Sequence, residues 1–206
     1  MRREAPLGHP VGMPARPNVF AILALAAAWS VSWLAQAQDV SIRIARDGDF
    51  VTIAASAVMR VDPRVAWAVL SDYDHLADFI PDVKSSRVVS RDGHRLRVEQ
   101  IGEVGFIFYR QPVTMVLEVH EEPPRRITAR GVEGNVKGME SYYELHASGA
   151  DVRLDYAGRF DPDFPIPPLI GMPVLRKVIE RRFRAMVNEI ERRDALPRAS
   201  GKQSVK

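Results

Sequence analysis

The longest periodic stretch lies near the C-terminus. Across residues 168–195, apolar side chains fall at Met172, Leu175, Val178, Ile179, Phe183, Met186, Val187 and Ile190, helical steps of three and four that draw one apolar stripe along a helix. Pro168 and Pro173 mark its first turn, where proline is tolerated. Arg192, Arg193 and Pro197 mark its end: cations suit the negative pole of the helix dipole, and a proline cannot extend it. At about 1.5 Å per residue the helix spans roughly 35 Å, enough to cross most of a six- or seven-stranded sheet at about 4.8 Å per strand. Two charges interrupt the stripe. Winding at about 100° per residue puts Arg182 between Leu175 and Val178, with Glu189 close by. Either both reach the rim and pair loosely, or the Arg182 guanidinium faces a ligand's polar group inside a cavity.

Upstream, alternation replaces the helical period. Residues 50–61 read as a first strand. Asp62-Pro63 then offers an N-cap and a first-turn proline for a short helix carrying Val65, Ala66, Trp67, Val69 and Leu70. Asp72-Tyr73-Asp74 breaks that helix, and a second short turn bears Leu76, Phe79 and Ile80. Strand patterns follow at 83–90 and 96–103, joined by a hairpin at Asp92-Gly93, and then at 113–119, 126–132, 139–147 and 152–160. Phe106-Ile107-Phe108-Tyr109 continues or follows the second of these past a bend or bulge at Gly105. Leu154, Tyr156 and Phe160 share one face of the last strand; Arg153, Asp155 and Arg159 share the other. Four prolines stiffen the connection at 161–168, where Phe164 and Ile166 are apolar on a segment that should be wet, so both are expected to fold over an opening.

The first 37 residues change the picture of where this domain works. Basic residues run to Arg16, an apolar run spans 19–34, and Ala35-Gln36-Ala37 precedes Gln38 as a small-x-small cleavage pattern, the form of an export signal. The mature domain is then 38–195, periplasmic or secreted, with 196–206 a disordered polar tail. An uncleaved membrane anchor is the alternative, since the run is near the lower limit for spanning a bilayer. The chain has 206 residues, 46% of them hydrophobic, ample for one packed domain. Its formal charge is +3, but the leader holds Arg2, Arg3, Arg16 and Glu4, and the remainder is nearly balanced, which gives no footprint for nucleic acid. There is no cysteine, which excludes disulfides, thiolate metal sites and thiol nucleophiles. Nothing in the pattern specifies an oligomeric state.

Residues 61–89 carry a family likeness: the Asp62-Pro63 helix start, Trp67, Leu70-Ser71-Asp72-Tyr73, and the Phe79-Ile80-Pro81 turn into a strand. Together they resemble the START-related (SRPBCC) superfamily, and within it the polyketide cyclase/dehydrase and coenzyme-Q-binding branch. Pro123-Pro124 before one strand, Gly134 before the next, and the terminal helix agree, so the likeness covers residues 50–193. It implies an α+β helix-grip fold, a curved antiparallel sheet of about six or seven strands wrapped on the long C-terminal helix, with two short helices after the first strand. It also implies an elongated apolar cavity for a lipid, sterol, quinone, polyketide or hormone, a minority of members being cyclases or hydrolases.

Candidate chemistry is sparse. His9, His75, His94, His120 and His146 are scattered with no pair at ligand spacing, so no metal is expected, and no cofactor is implied. No nucleophile elbow or phosphate-cradling glycine loop is present. His75, in the break between the short helices, is the one histidine worth weighing as an acid or base, against the simpler reading of a solvated loop residue. Large, soft or amphipathic residues are instead dense on inward segments: Tyr73, Phe79, Phe106, Phe108, Met115, Met139, Tyr143, Tyr156, Phe160, Phe164 and Met172, with Leu175, Ile179 and Arg182 on the helix. Any single one of them would pack in a solid core. Collectively they suit a cavity of roughly 300–1,000 Å³ in which Tyr73, Tyr143, Tyr156 and Arg182 orient a headgroup. Three functions remain open: an exported binder or carrier of a hydrophobic small molecule, with transient membrane contact; a cyclase or dehydratase acting on an apolar carbonyl compound; and a module docking a membrane complex.

Overall fold

The computed structural model describes residues 40–106, 109–162 and 171–196. The expected export segment, the proline-rich connection with Phe164 and Ile166, and the tail beyond Leu196 lie outside the described residues. Strand pairing starts earlier than alternation suggests. Ser41–Asp47 (β1) folds back on Phe50–Met59 (β2). Only Ile42 and Ile44 of this first edge strand, with Val40 just before it, turn toward the interior, while Arg43, Arg46 and Asp47 stay in solvent. A pattern that short and that charged is weak in sequence, and the sheet therefore has eight strands rather than six or seven.

Asp62 caps the next helix, Pro63–Leu70 (α1), by accepting from Arg64 N at 2.9 Å, and Ala66, Val69 and Leu70 bury its inner face. A 3₁₀ turn at Tyr73–His75 and the single turn Leu76–Phe79 (α2) follow. Then come Val83–Asp92 (β3), Arg95–Phe106 (β4), Tyr109–Glu122 (β5), Arg126–Gly134 (β6), Val136–Ser148 (β7) and Asp151–Pro162 (β8). The spatial order is β1-β2-β8-β7-β6-β5-β4-β3. Because β2 pairs with β8 and not with β3, the two short helices carry the chain to the far edge, and every later strand pairs with its predecessor. The sheet is thus a meander closed by its first hairpin.

Pairing at Gly105 is regular, with Gly105 opposite Arg110 and Phe106 opposite Tyr109. Gly105 is therefore paired rather than bulged, and residues 107 and 108 of the aromatic run lie outside the described residues. Register shifts fall instead in β3, at Val116/Leu117 and at Lys137/Glu140. Gly134 has φ +115°, and a Cβ there would lie 2.0 Å from the Thr114 carbonyl oxygen. Only glycine lets the β6–β7 turn close on β5, where Asn135 N donates to that oxygen at 3.1 Å.

Gly171–Ala195 (α3) lies on the inner face of the sheet, burying Leu175, Val178, Phe183, Met186, Val187 and Ile190. Its second half joins the main core, with Leu96, Val98, Leu117, Ile127, Leu145 and Leu154, while Leu175 packs in a smaller cluster on Val51 and Ile53. Glu189 does not pair with Arg182. It is buried and accepts from Arg192 Nε at 2.6 Å and from Arg193 Nε at 2.6 Å, and Arg193 Nη1 reaches Asp72 at 2.7 Å. This clamp fastens the end of α3 to the turn after α1.

The clamp makes stability acid-sensitive. Glu189 is held down to about 2 from an ordinary 4.5, first by the Arg192 hydrogen bond, against burial, with Arg193 adding to the depression. A carboxyl depressed by folding stabilises the fold above its unfolded value, and that contribution is lost as pH falls from 4.5 toward 2. Urea titrations across that window should show unfolding free energy falling with pH. Glu189→Gln should flatten part of the fall and cost about 2 kcal/mol at neutral pH, the scale of hydrogen bonds to a charged group; an unchanged pH profile would contradict the clamp.

Candidate functional site

The middle of the sheet does not fill the space beneath α3. Ala129, Ser141 and Gly158 sit side by side on β6, β7 and β8, a row of small residues where the neighbouring row carries Ile127, Tyr143 and Tyr156. A cavity of about 200 Å³ results, roofed by Ile179, Arg182, Phe183 and Met186 of α3. Its floor and ends come from Met115, Leu117, Met139, Tyr143 and Tyr156 on the strands and from Leu70, Tyr73, Leu76 and Ile80 on the short helices. Gln100 and Ser141 add polar atoms, Gln100 Nε2 standing 3.4 Å from Ser86 Oγ. The volume falls below the 300–1,000 Å³ expected from sequence, because aromatic and methionine side chains occupy space as well as line it.

Of the expected residues, Tyr73, Met115, Met139, Tyr143, Tyr156, Ile179 and Arg182 meet around this one cavity. Phe160, Met172 and Leu175 gather instead in the smaller cluster under the start of α3. Phe79 packs at the edge of the main core, with the Arg193 guanidinium 5.7 Å from its ring. Phe108, Phe164 and the side chain of Phe106 lie outside the described residues. His75 is exposed, its Nδ1 2.6 Å from Asp72 Oδ1, beside the Glu189 clamp and away from the cavity lining. The Asp72 hydrogen bond, and then its charge, raises the imidazole above its ordinary value, so it behaves as a surface ion-pair member. Sequence reasoning missed Gln100, Ser141, Ala129 and Gly158, since it looked for large residues whereas small ones make the hollow.

The electrostatics of the cavity centre on Arg182. Its Nη2 donates to the Glu103 carbonyl at 3.0 Å, and its Nε is shut off from solvent with no hydrogen-bond partner. Burial lowers its pKa, while the nearby Asp82 carboxylate pulls it back up; an arginine remains charged under such shifts. Burial pushes the Tyr143 and Tyr156 phenols up, and the two rings tilt against each other with centroids 4.7 Å apart. Burial, then the Glu121 charge, raises Tyr73 as well, and neither its hydroxyl nor Glu121 Oε1 has a hydrogen-bond partner among the described residues. All three phenols are therefore neutral donors at physiological pH. A larger trough of about 950 Å³ lies on the opposite face of the sheet. There Arg97, Glu118, Arg130, Glu140 and Arg159 stand opposite one another on successive strands, an alternating ladder of charge in which Arg159 pairs with Glu140 at 3.1 Å and Arg97 turns to Glu133.

The sequence matches the family described as polyketide cyclase/dehydrase and lipid transport over residues 50–193. No individually curated protein matches it significantly. Among solved structures, it is similar to the Zhui aromatase/cyclase from Streptomyces sp. R1128, with 20% identity, a TM-score of 0.60, and 74% of this chain and 98% of that one covered. It is also similar to a STAR-related lipid transfer protein from Xanthomonas axonopodis, at 12% identity and a TM-score of 0.58 over 76% and 95% of the two chains. A START superfamily protein from Mycobacterium smegmatis aligns at 14% identity and a TM-score of 0.54 over 69% and 96%. At these identities the likeness is one of fold.

Gly158 links sequence to cavity shape. A Cβ there would stand 2.8 Å from the Tyr156 hydroxyl and 3.2 Å from Ser141 Cβ. Gly158→Ala should therefore drive the phenol into the void and cost about 1–3 kcal/mol, the range for overpacking a core, read as a lowered unfolding midpoint in urea. An unchanged midpoint would mean that Tyr156 has room to spare.

Proposed function

The chain belongs to the polyketide cyclase/dehydrase and lipid transport family, and from that premise we propose that it is an exported binder or carrier of a hydrophobic small molecule held between the sheet and α3. The observation that carries this reading is the void beneath α3, bounded mainly by aliphatic, aromatic and thioether side chains with a few polar atoms, the composition of a small-molecule site. Among the described lining residues there is no carboxylate and no imidazole. The phenols hold their protons and Arg182 holds its charge, so the site can grip a ligand oxygen but offers no base near neutral pH. That favours holding a molecule over transforming it. Lipid-like, quinone and polyketide-like ligands all meet the apolar requirement.

Export is supported by the leader pattern in the first 37 residues. A water-insoluble compound outside the cytoplasm needs an escort, and collecting one from a bilayer calls for transient membrane contact. A cyclase-type activity is the second reading, favoured by one observation: Arg182 and the Tyr143–Tyr156 pair lie together, an arrangement able to polarise a carbonyl.

Solvent extraction of the purified protein followed by mass spectrometry should release a stoichiometric apolar compound. Stripped protein should take up a fluorescent apolar probe. Failure of both would sink the carrier reading. Fractionation of expressing cells should place a chain beginning at Gln38 outside the cytoplasm; an intact N-terminus in the membrane fraction would replace carriage by an anchored form, and a purely cytoplasmic chain would overturn export.

A further inference from the structure

We infer that the cavity is built for a compact monocarboxylate: an apolar body about the size of one substituted ring, with its carboxylate on Arg182. This rests on reading the cavity as a ligand site, and it narrows the ligand by charge and by size.

Arg182 differs from its charged neighbours on α3. Arg181 is paired with Asp82, Arg184 with Glu180 at 3.0 Å, and Arg192 and Arg193 with Glu189 at 2.6 Å. Arg182 points inward and, among the described residues, donates to the Glu103 backbone carbonyl. The nearest carboxylates are committed elsewhere: Asp82 to Arg181, and Glu103 to Lys84 and Arg110, both at 2.6 Å. Among the described residues, the largely buried Arg182 guanidinium thus shares its nearest carboxylate with Arg181 and keeps its Nε unpartnered, and an unsatisfied buried donor in a native interior calls for a partner. A guanidinium presents forked N–H groups that match the two oxygens of a carboxylate. A lone ketone or quinone oxygen would engage one of these donors and leave the charge uncompensated.

The size argument comes from the void. A dry apolar cavity of ~150 Å³ accepts a single benzene ring, and this one holds about 200 Å³. A ring with a carboxylate and one short substituent, on the order of ten heavy atoms, fits that space. The Tyr143–Tyr156 pair and the sulfurs of Met115 and Met139 supply tilted rings and thioethers, surfaces suited to an aromatic body.

Isothermal titration calorimetry of the purified full chain with 4-ethylbenzoate and its neutral isostere 4-ethylbenzamide tests both points. The acid should bind about tenfold or more tightly than the amide, the scale of a charged hydrogen bond. Arg182→Met should abolish that preference, and Arg182→Lys should keep part of it. Equal binding of acid and amide by the wild-type protein overturns the charge assignment while leaving the binder reading intact, and this comparison stands even if Arg182→Met does not fold. A preference that survives in Arg182→Met overturns it as well. Tighter binding of palmitate than of 4-ethylbenzoate overturns the size limit. Binding of neither ring-sized probe overturns the inference, and only additional failure to take up any apolar probe removes the underlying reading.

Discussion

A helix of 25 residues can bury its apolar stripe only against a surface of comparable length, and here that surface is a sheet whose central row is too small to meet it. At both ends of α3 the fit is close: Leu175 on Val51 and Ile53, and Val187 and Ile190 among the leucines and valines of the strands. Between them Ala129, Ser141 and Gly158 leave the helix unsupported. Closure at the ends holds the middle open. Filling that void would gain dispersion contacts that the present packing forgoes, so its persistence points to an occupant.

The same geometry explains the odd electrostatics. A helix laid across a hollow exposes whatever it carries at that level, and α3 carries Arg182 there. Its neighbours on the solvent side find carboxylates, because surface positions leave room for long side chains to meet. The inward one finds two raised phenols and a backbone carbonyl. Its nearest carboxylate, Asp82, is shared with Arg181, so the guanidinium is held mainly by polar contacts within the hollow.

The Glu189 clamp has a different role. It sits where α3 meets the turn that follows α1, and by tying Arg193 to Asp72 it joins the helix to the segment that supplies Tyr73 and Leu76 to the cavity. The charged cluster at His75 is thus part of the scaffold. Its strong pKa shifts come from ion pairing among partly exposed groups, whereas those of the tyrosines come from burial.

Local pattern by itself determined much of this protein. The three- and four-residue steps fixed α3, Asp62-Pro63 fixed the start of α1, Asp92-Gly93 fixed the β3–β4 hairpin, and two-residue alternation fixed which side chains of β8 face inward, because each of these signals lies within a few neighbouring residues. The family likeness supplied the helix-grip architecture. What only the tertiary structure decided was how residues distant in the chain line up. The edge strand β1 gains its identity from pairing with β2. Glu189 finds Asp72 through Arg193, and the row Ala129–Ser141–Gly158 exists only once three strands lock in register. A cavity is made by residues that are absent in volume, and no periodicity marks an absence. Seven of the large residues proposed from the sequence do surround the void, yet its position and its modest size follow from the small ones between them.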